Sequence, residues 1–134
     1  MVPRTRMGMA AVAGGSALIA GAWLPWMTLF AGLYPMRGIV GLNGRVICAA
    51  GIAVLLLGAV LLARDVRGAA IMLSGAGLLL LALAGSIFVG IHQLMAGSGH
   101  HTMVVPQAGV GVYVVLLGAV LTAIAPVVAR SRRA

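Results

Sequence analysis

Residues 46–63 read VICAAGIAVLLLGAVLLA, an unbroken apolar run that stops at Arg64-Asp65-Val66-Arg67. About 20 apolar residues in helix span the hydrocarbon of a bilayer. A helix is suited to that solvent because it satisfies its own backbone hydrogen bonds. Three further runs have the same character, over about 7–26, 69–91 and 110–128. In the whole chain of 134 residues, 63% are hydrophobic and 7% charged, and the mean hydropathy is +1.18. Those values leave too little polar surface for a domain facing water on all sides. The expected fold is all-α: a single integral membrane domain over 1–134, built as a four-transmembrane-helix bundle.

The ends of the runs set the expected orientation. Arg4, Arg6, Arg64, Arg67, Arg130, Arg132 and Arg133 fall on one side of such a bundle, and Arg37 and Arg45 on the other. The positive-inside rule therefore predicts both termini in the cytoplasm, N-in and C-in. Arg64-Asp65-Val66-Arg67 is then a tight cytoplasmic hairpin, with Asp65 expected in a local ion pair or helix cap. The first run ends in Trp23-Leu24-Pro25-Trp26, and paired tryptophans mark a membrane interface. A basic start before an apolar stretch also describes a signal peptide, with Ala20-Gly21-Ala22 as its cleavage site. The run is long enough to span, so it is read as the first span. The two outer loops carry Tyr34-Pro35-Met36-Arg37-Gly38 and Gly97-Ser98-Gly99-His100-His101. Loops of that length are more often functional than idle.

The net charge of +8 does not point to nucleic acid, because the arginines cluster at run ends as anchors rather than forming a stripe on a polar domain. All nine basic residues are Arg, and Gly and Ala abound, as in GC-rich bacteria such as actinobacteria. The single Cys48 excludes an intramolecular disulfide and reads as a small packing residue.

At an offset of 60, residues 51–63 and 111–123 agree at nine of thirteen positions, beginning with Gly51 on Gly111 and including Gly58 on Gly118. The second and fourth helices read as copies, and with weaker matches between the first and third the bundle reads as a duplicated helical hairpin. Both hairpins enter and leave on one side, which is the parallel type of repeat. Small residues at helical spacing predict where backbones approach: Ala13, Ala17 and Gly21 in the first helix, Ala82, Ser86 and Gly90 in the third. Gly51 with Gly58, and Gly111 with Gly118, are seven apart and share one helix face each.

The residues offer little to chemistry. Charged side chains are costly inside a membrane and usually mark a task there, yet no Arg, Asp or His lies within the runs. Asp65 is the only carboxylate in the chain, so a pair of carboxylates for acid/base work is excluded. His92, His100 and His101 have no Cys or carboxylate beside them to complete a metal site, and Ser98 near His100 lacks a third residue to orient a base. Gly109-Val110-Gly111-Val112 lacks the rest of a dinucleotide fingerprint and reads as a helix start. No cofactor, catalytic residue or metal is expected. Trp23, Trp26, Tyr34, Arg37 and Arg45 are the expected contacts to lipid or to a partner, through aromatic anchoring and through pairing of outward arginines with phosphate or carboxylate.

Trp23-Leu24-Pro25-Trp26, Gly41-Leu42-Asn43-Gly44 and Gly109-Val110-Gly111-Val112-Tyr113 together resemble small four-helix membrane proteins of actinobacteria, among them the tryptophan-biosynthesis-associated membrane protein family. The resemblance implies a four-helix fold and a bacterial plasma membrane. It carries over no site residues, and Asn43 stands where many such relatives are expected to have an acidic residue. The expected function is that of a non-enzymatic accessory subunit that stabilises a larger inner-membrane complex, respiratory or of the cell envelope. Its expected partners are the lipid bilayer and other integral membrane proteins, with no nucleic acid. The alternative is a small homo-oligomeric transporter or channel subunit.

Overall fold

A computed structural model describes residues 3–29, 34–97 and 107–131. It is dominated by four helices, α1 (Pro3–Trp23), α2 (Leu42–Ala63), α3 (Ala69–Gly97) and α4 (Val110–Arg130). The expectation of all-α is corrected in one respect. The connections form a small antiparallel sheet of β1 (Pro25–Leu29), β2 (Tyr34–Arg37) and β3 (Gln107–Ala108), in the order β2-β1-β3, and a 3-10 turn over Gly38–Val40 leads into α2. Pro25 explains where α1 stops. A proline disfavours helix for the residue before it, so the chain leaves the helix at Trp23, three residues before the expected end at Trp26, and turns extended. Three helices, α2, α3 and α4, are long and apolar enough to cross a membrane. α1 has 21 residues as well, but it contains Arg4, Thr5, Arg6, Ser16 and four glycines.

α1 is the centre of the structure. It packs along its length against both α2 and α4, α4 packs in turn against α3, and α2 and α3 scarcely meet. Glycines set the closest approaches. A Cβ on Gly15 would lie 2.7 Å from the carbonyl oxygen of Gly51, and one on Gly58 would lie 2.9 Å from that of Gly8. On the other flank a Cβ on Gly118 would lie 2.8 Å from the Gly14 carbonyl oxygen, and one on Gly111 2.8 Å from that of Gly21. Each partner is seven residues from its fellow, two helical turns with little drift. Gly8 and Gly15 thus form one face of α1, and Gly14 and Gly21 another. Because the pairs match in reverse order, α2 and α4 both run antiparallel to α1. These two helices, the segments of repeated sequence, present the same glycine spacing to the same partner.

Two small-residue stripes are corrected. Ser86 and Gly90 of α3 are exposed, as is Ala82, and nothing lies within 4 Å of a Cβ at Gly90. α3 instead approaches α4 at Gly77, where a Cβ would meet the backbone of Ala123. On α1, Ala13 is exposed while Gly21 is buried. Helical spacing identifies a stripe but not which stripe a neighbour covers.

Buried side chains complete two apolar clusters. One gathers Met7, Val54, Leu61 and Leu73 at the end that carries the α2–α3 hairpin. The other gathers Leu18, Trp26, Ile47, Leu80, Val112 and Val115 toward the sheet. The one buried polar side chain among the described residues, Thr122, donates from Oγ1 to its own helix at the Gly118 carbonyl, 2.8 Å away. The α2–α3 hairpin turns on Gly68, whose φ of +76° suits glycine. Asp65 is exposed and forms no ion pair or cap among the described residues, so the local pairing expected for it is not made.

Substitution of Gly15 by valine would drive side-chain atoms into the α2 backbone. Overpacking of this kind costs about 1–3 kcal/mol. Gly75, with nothing within 4 Å of a Cβ, is the matched control. Unfolding of detergent-solubilised protein, followed by circular dichroism, is expected to show Gly15→Val clearly destabilised and Gly75→Val close to the wild type.

Candidate functional site at the sheet-bearing end

The end of the bundle bearing the sheet gathers most of the residues picked out by sequence. Trp23, the last residue of α1, is 55% exposed. Trp26, three residues beyond the end of that helix, is 9% exposed. Of the two expected anchors, Trp23 is open to its surroundings and Trp26 is folded into the protein. The Trp26 indole Nε1 donates to the carbonyl oxygen of Gly21 at 2.9 Å. The same ring lies against Gly38 of the 3-10 turn and Gly111 of α4, where added Cβ atoms would strike it. Its backbone carbonyl accepts from the Gly109 amide at 2.7 Å. One side chain thus ties α1, the 3-10 turn and the start of α4 together. The preference of tryptophan for a site with an apolar body and one polar partner accounts for its place.

The sheet is fixed on this anchor. β1 pairs with β2 from Pro25 opposite Arg37 to Leu29 opposite Tyr34, with an irregularity between Pro25 and Met27. It pairs with β3 through Met27 opposite Ala108 and Thr28 opposite Gln107. Gly44, in the first turn of α2, lies so close to the Gly38 carbonyl that no larger residue fits. The Tyr34 side chain, His100 and His101 lie outside the described residues.

Two arginines carry the charge at this end. Arg37 is exposed at the end of β2, and Arg45 is exposed in the first turns of α2 with its Nε donating to the Ile39 carbonyl at 3.3 Å. Neither has a carboxylate partner among the described residues, and the only carboxylate side chain of the protein, Asp65, lies in the hairpin at the opposite end. His92 is exposed on α3. Its Nδ1 lies 2.9 Å from the Phe88 carbonyl oxygen, and its ring rests on Phe88 with centroids 4.1 Å apart. Among the described residues no three His, Cys, Asp or Glu come together as a metal site would need.

At the other end, Arg4, Asp65 and Arg130 border a shallow cavity of about 290 Å3 with Pro126 and Ala129. The Nε of Arg4 is buried there without a partner. Pro126 sits inside α4, where it deprives the Thr122 carbonyl of its helical donor.

No protein-family model, no curated protein and no solved structure matches this chain. What the fold and the residues define is a class: a helical membrane protein in which three helices are long and apolar enough to cross the bilayer.

The anchoring geometry of Trp26 was hidden in the sequence, which put it on a par with Trp23. Removal of a large buried aromatic side chain costs about 3–5 kcal/mol. Trp26→Ala is expected to lose that much stability in detergent, and Trp23→Ala to leave unfolding nearly unchanged. Fluorescence of the single-tryptophan variant Trp23→Phe is expected to be poorly quenched by aqueous acrylamide, as the burial of Trp26 requires.

Proposed function

We propose that the protein is a four-span protein of the bacterial plasma membrane with both termini in the cytoplasm, acting without catalysis as an accessory subunit that stabilises a larger membrane assembly of respiratory or cell-envelope type. The observation that carries this reading is the contrast between body and cap. Along the helices the buried residues among those described are glycine, alanine, branched aliphatic side chains, Met7 and Pro126, with Thr122 turned onto its own backbone. Such a body offers no polar path and no reacting group, whereas the sheet, the 3-10 turn and two unpaired arginines form an ordered surface at one end. An apolar body ending in a small ordered cap that carries Arg37 and Arg45 suits recognition better than transport or chemistry.

Support for α1 as the fourth span comes from its place. It runs antiparallel to α2 and α4 over two full glycine pairs, and two neighbours shield it from lipid. All four glycines of α1 are buried against these neighbours, so its lower hydropathy comes partly from residues that do not face lipid. The orientation is supported by the arginine count, and kinship with the tryptophan-biosynthesis-associated membrane proteins by the short motifs that carry that resemblance.

Two measurements test the reading. In a Cys48→Ser background, Thr5→Cys and Ser131→Cys are expected to react with a membrane-impermeant maleimide only after cells are permeabilised, and Val40→Cys in intact cells. Labelling of Thr5→Cys and Ser131→Cys from opposite sides would show three spans. Affinity purification of the tagged protein in mild detergent is expected to return it in a large complex at fixed stoichiometry. A pure homo-oligomer would instead favour the transporter or channel reading.

A further inference from the structure

α2 and α3 follow each other in the chain and run antiparallel, yet they scarcely touch along their length. Between them lies a groove of about 400 Å3, bounded by Val46, Ala50 and Leu57 on one side and by Met72, Ala76 and Leu83 on the other. Every side chain that lines it is apolar. A second cavity, also of about 400 Å3, lies one helical turn nearer the sheet, between Leu42 and Asn43 of α2 and Ile87 of α3, and is bordered by Trp26 and Arg37. Leu42 precedes Val46 by four residues and Ile87 follows Leu83 by four, so the two cavities are consecutive along both helices. Together they make a crevice that starts among polar groups at the sheet and continues, wholly apolar, into the body.

Its dimensions select an occupant. From Val46 to Leu57 the groove rises about 16 Å at 1.5 Å per residue, and the hydrocarbon of one leaflet is about 15 Å deep, half of the bilayer core. A groove of that length, lined by apolar side chains alone, matches an acyl chain laid along one leaflet. The charge at the mouth selects the other half of the ligand. Arg37 borders the crevice, and Arg45 is fastened by its Nε to the Ile39 carbonyl of the adjoining turn. No side-chain carboxylate is near enough to balance them, because the only one in the protein is Asp65 at the far end.

We propose that this crevice binds one anionic phospholipid from the leaflet at the sheet-bearing end, its phosphate held by Arg37 and Asn43 with Arg45 adding charge, and an acyl chain laid between α2 and α3. The inference rests on the helices spanning a bilayer, but not on the accessory role or on which side is cytoplasmic. Guanidinium groups bind phosphate through charge-assisted hydrogen bonds, and Asn43 supplies a neutral amide donor. The lipid would fill the seam that α2 and α3 leave open, whose lining contains no glycine.

The test is native mass spectrometry of the full-length protein in detergent, titrated separately with phosphatidylglycerol and phosphatidylcholine. The wild type is expected to retain one phosphatidylglycerol in preference to phosphatidylcholine. Arg37→Gln is expected to weaken phosphatidylglycerol binding about tenfold, the worth of one charge-assisted hydrogen bond, and to erase the preference. Ala76→Phe, which fills the groove, is expected to lower retention of both lipids without lowering the unfolding temperature. Equal retention of the two lipids by the wild type, or unaltered binding by both variants, would overturn the proposal. So would a stable dimer free of lipid, which would mean that a second copy covers the seam. Failure here leaves the maleimide labelling pattern untouched, so it is distinguishable from failure of the membrane reading.

Discussion

Backbone-to-backbone approach at the glycines of α1 is the constraint on which the rest of the architecture depends. Lipid offers no hydrophobic drive for one apolar helix to seek another, so association rests on van der Waals fit. Where Gly8 and Gly15 meet Gly58 and Gly51, and where Gly14 and Gly21 meet Gly118 and Gly111, the missing side chains let two backbones come close enough for that fit. The two faces lie side by side on one helix, which makes α1 the shared partner of α2 and α4. Everything else is arranged about that shared helix: α3 reaches the bundle through α4, and the sheet grows from the chain that leaves α1 at Trp23.

The asymmetry of the bundle follows the same glycines. A duplicated hairpin with full two-fold symmetry would close α3 on α2 as tightly as α1 closes on α4. α3 scarcely meets α2; Met72, Ala76, Leu79 and Leu83 line an open apolar groove there instead. Glycine marks the closed contacts of α1, and the open seam has none in its lining. The lipid proposal and the accessory reading fit together on this geometry, since a bound phospholipid would present, beside the polar cap, a headgroup as part of the same surface.

Trp26 links the body to that cap. Its hydrogen bond to the Gly21 carbonyl and its contact with Gly38 and Gly111 join the sheet to the very glycine face that holds α4 on α1. The sheet is thus an extension of the helix packing, which is why two strands of four or five residues and one of two hold a defined register. Short strands of this kind are marginal by themselves.

Much of the fold was legible from sequence because lipid imposes a simple grammar. Uncharged runs of about twenty residues, closed by arginines, read directly as helices, and the observed α2, α3 and α4 include the expected stretches. The glycines at 51, 58, 111 and 118 were legible as one face of each helix, since seven-residue spacing is a property of the helix itself. The identity of the covered face was not: Ser86 and Gly90 have the same spacing and lie exposed. Nor did Trp26 differ from Trp23 until the chain turned at Pro25 and folded one ring inward. Of the candidate site, the residue types and the sign of the charge came from sequence, while the crevice that Arg37 borders did not. Composition and periodicity determine that a segment is a helix and which residues share a side of it, because both follow from the local geometry of one chain. Only the tertiary structure decided which sides meet, which tryptophan is buried and where a seam stays open, because those depend on surfaces far apart in sequence competing for the same neighbour.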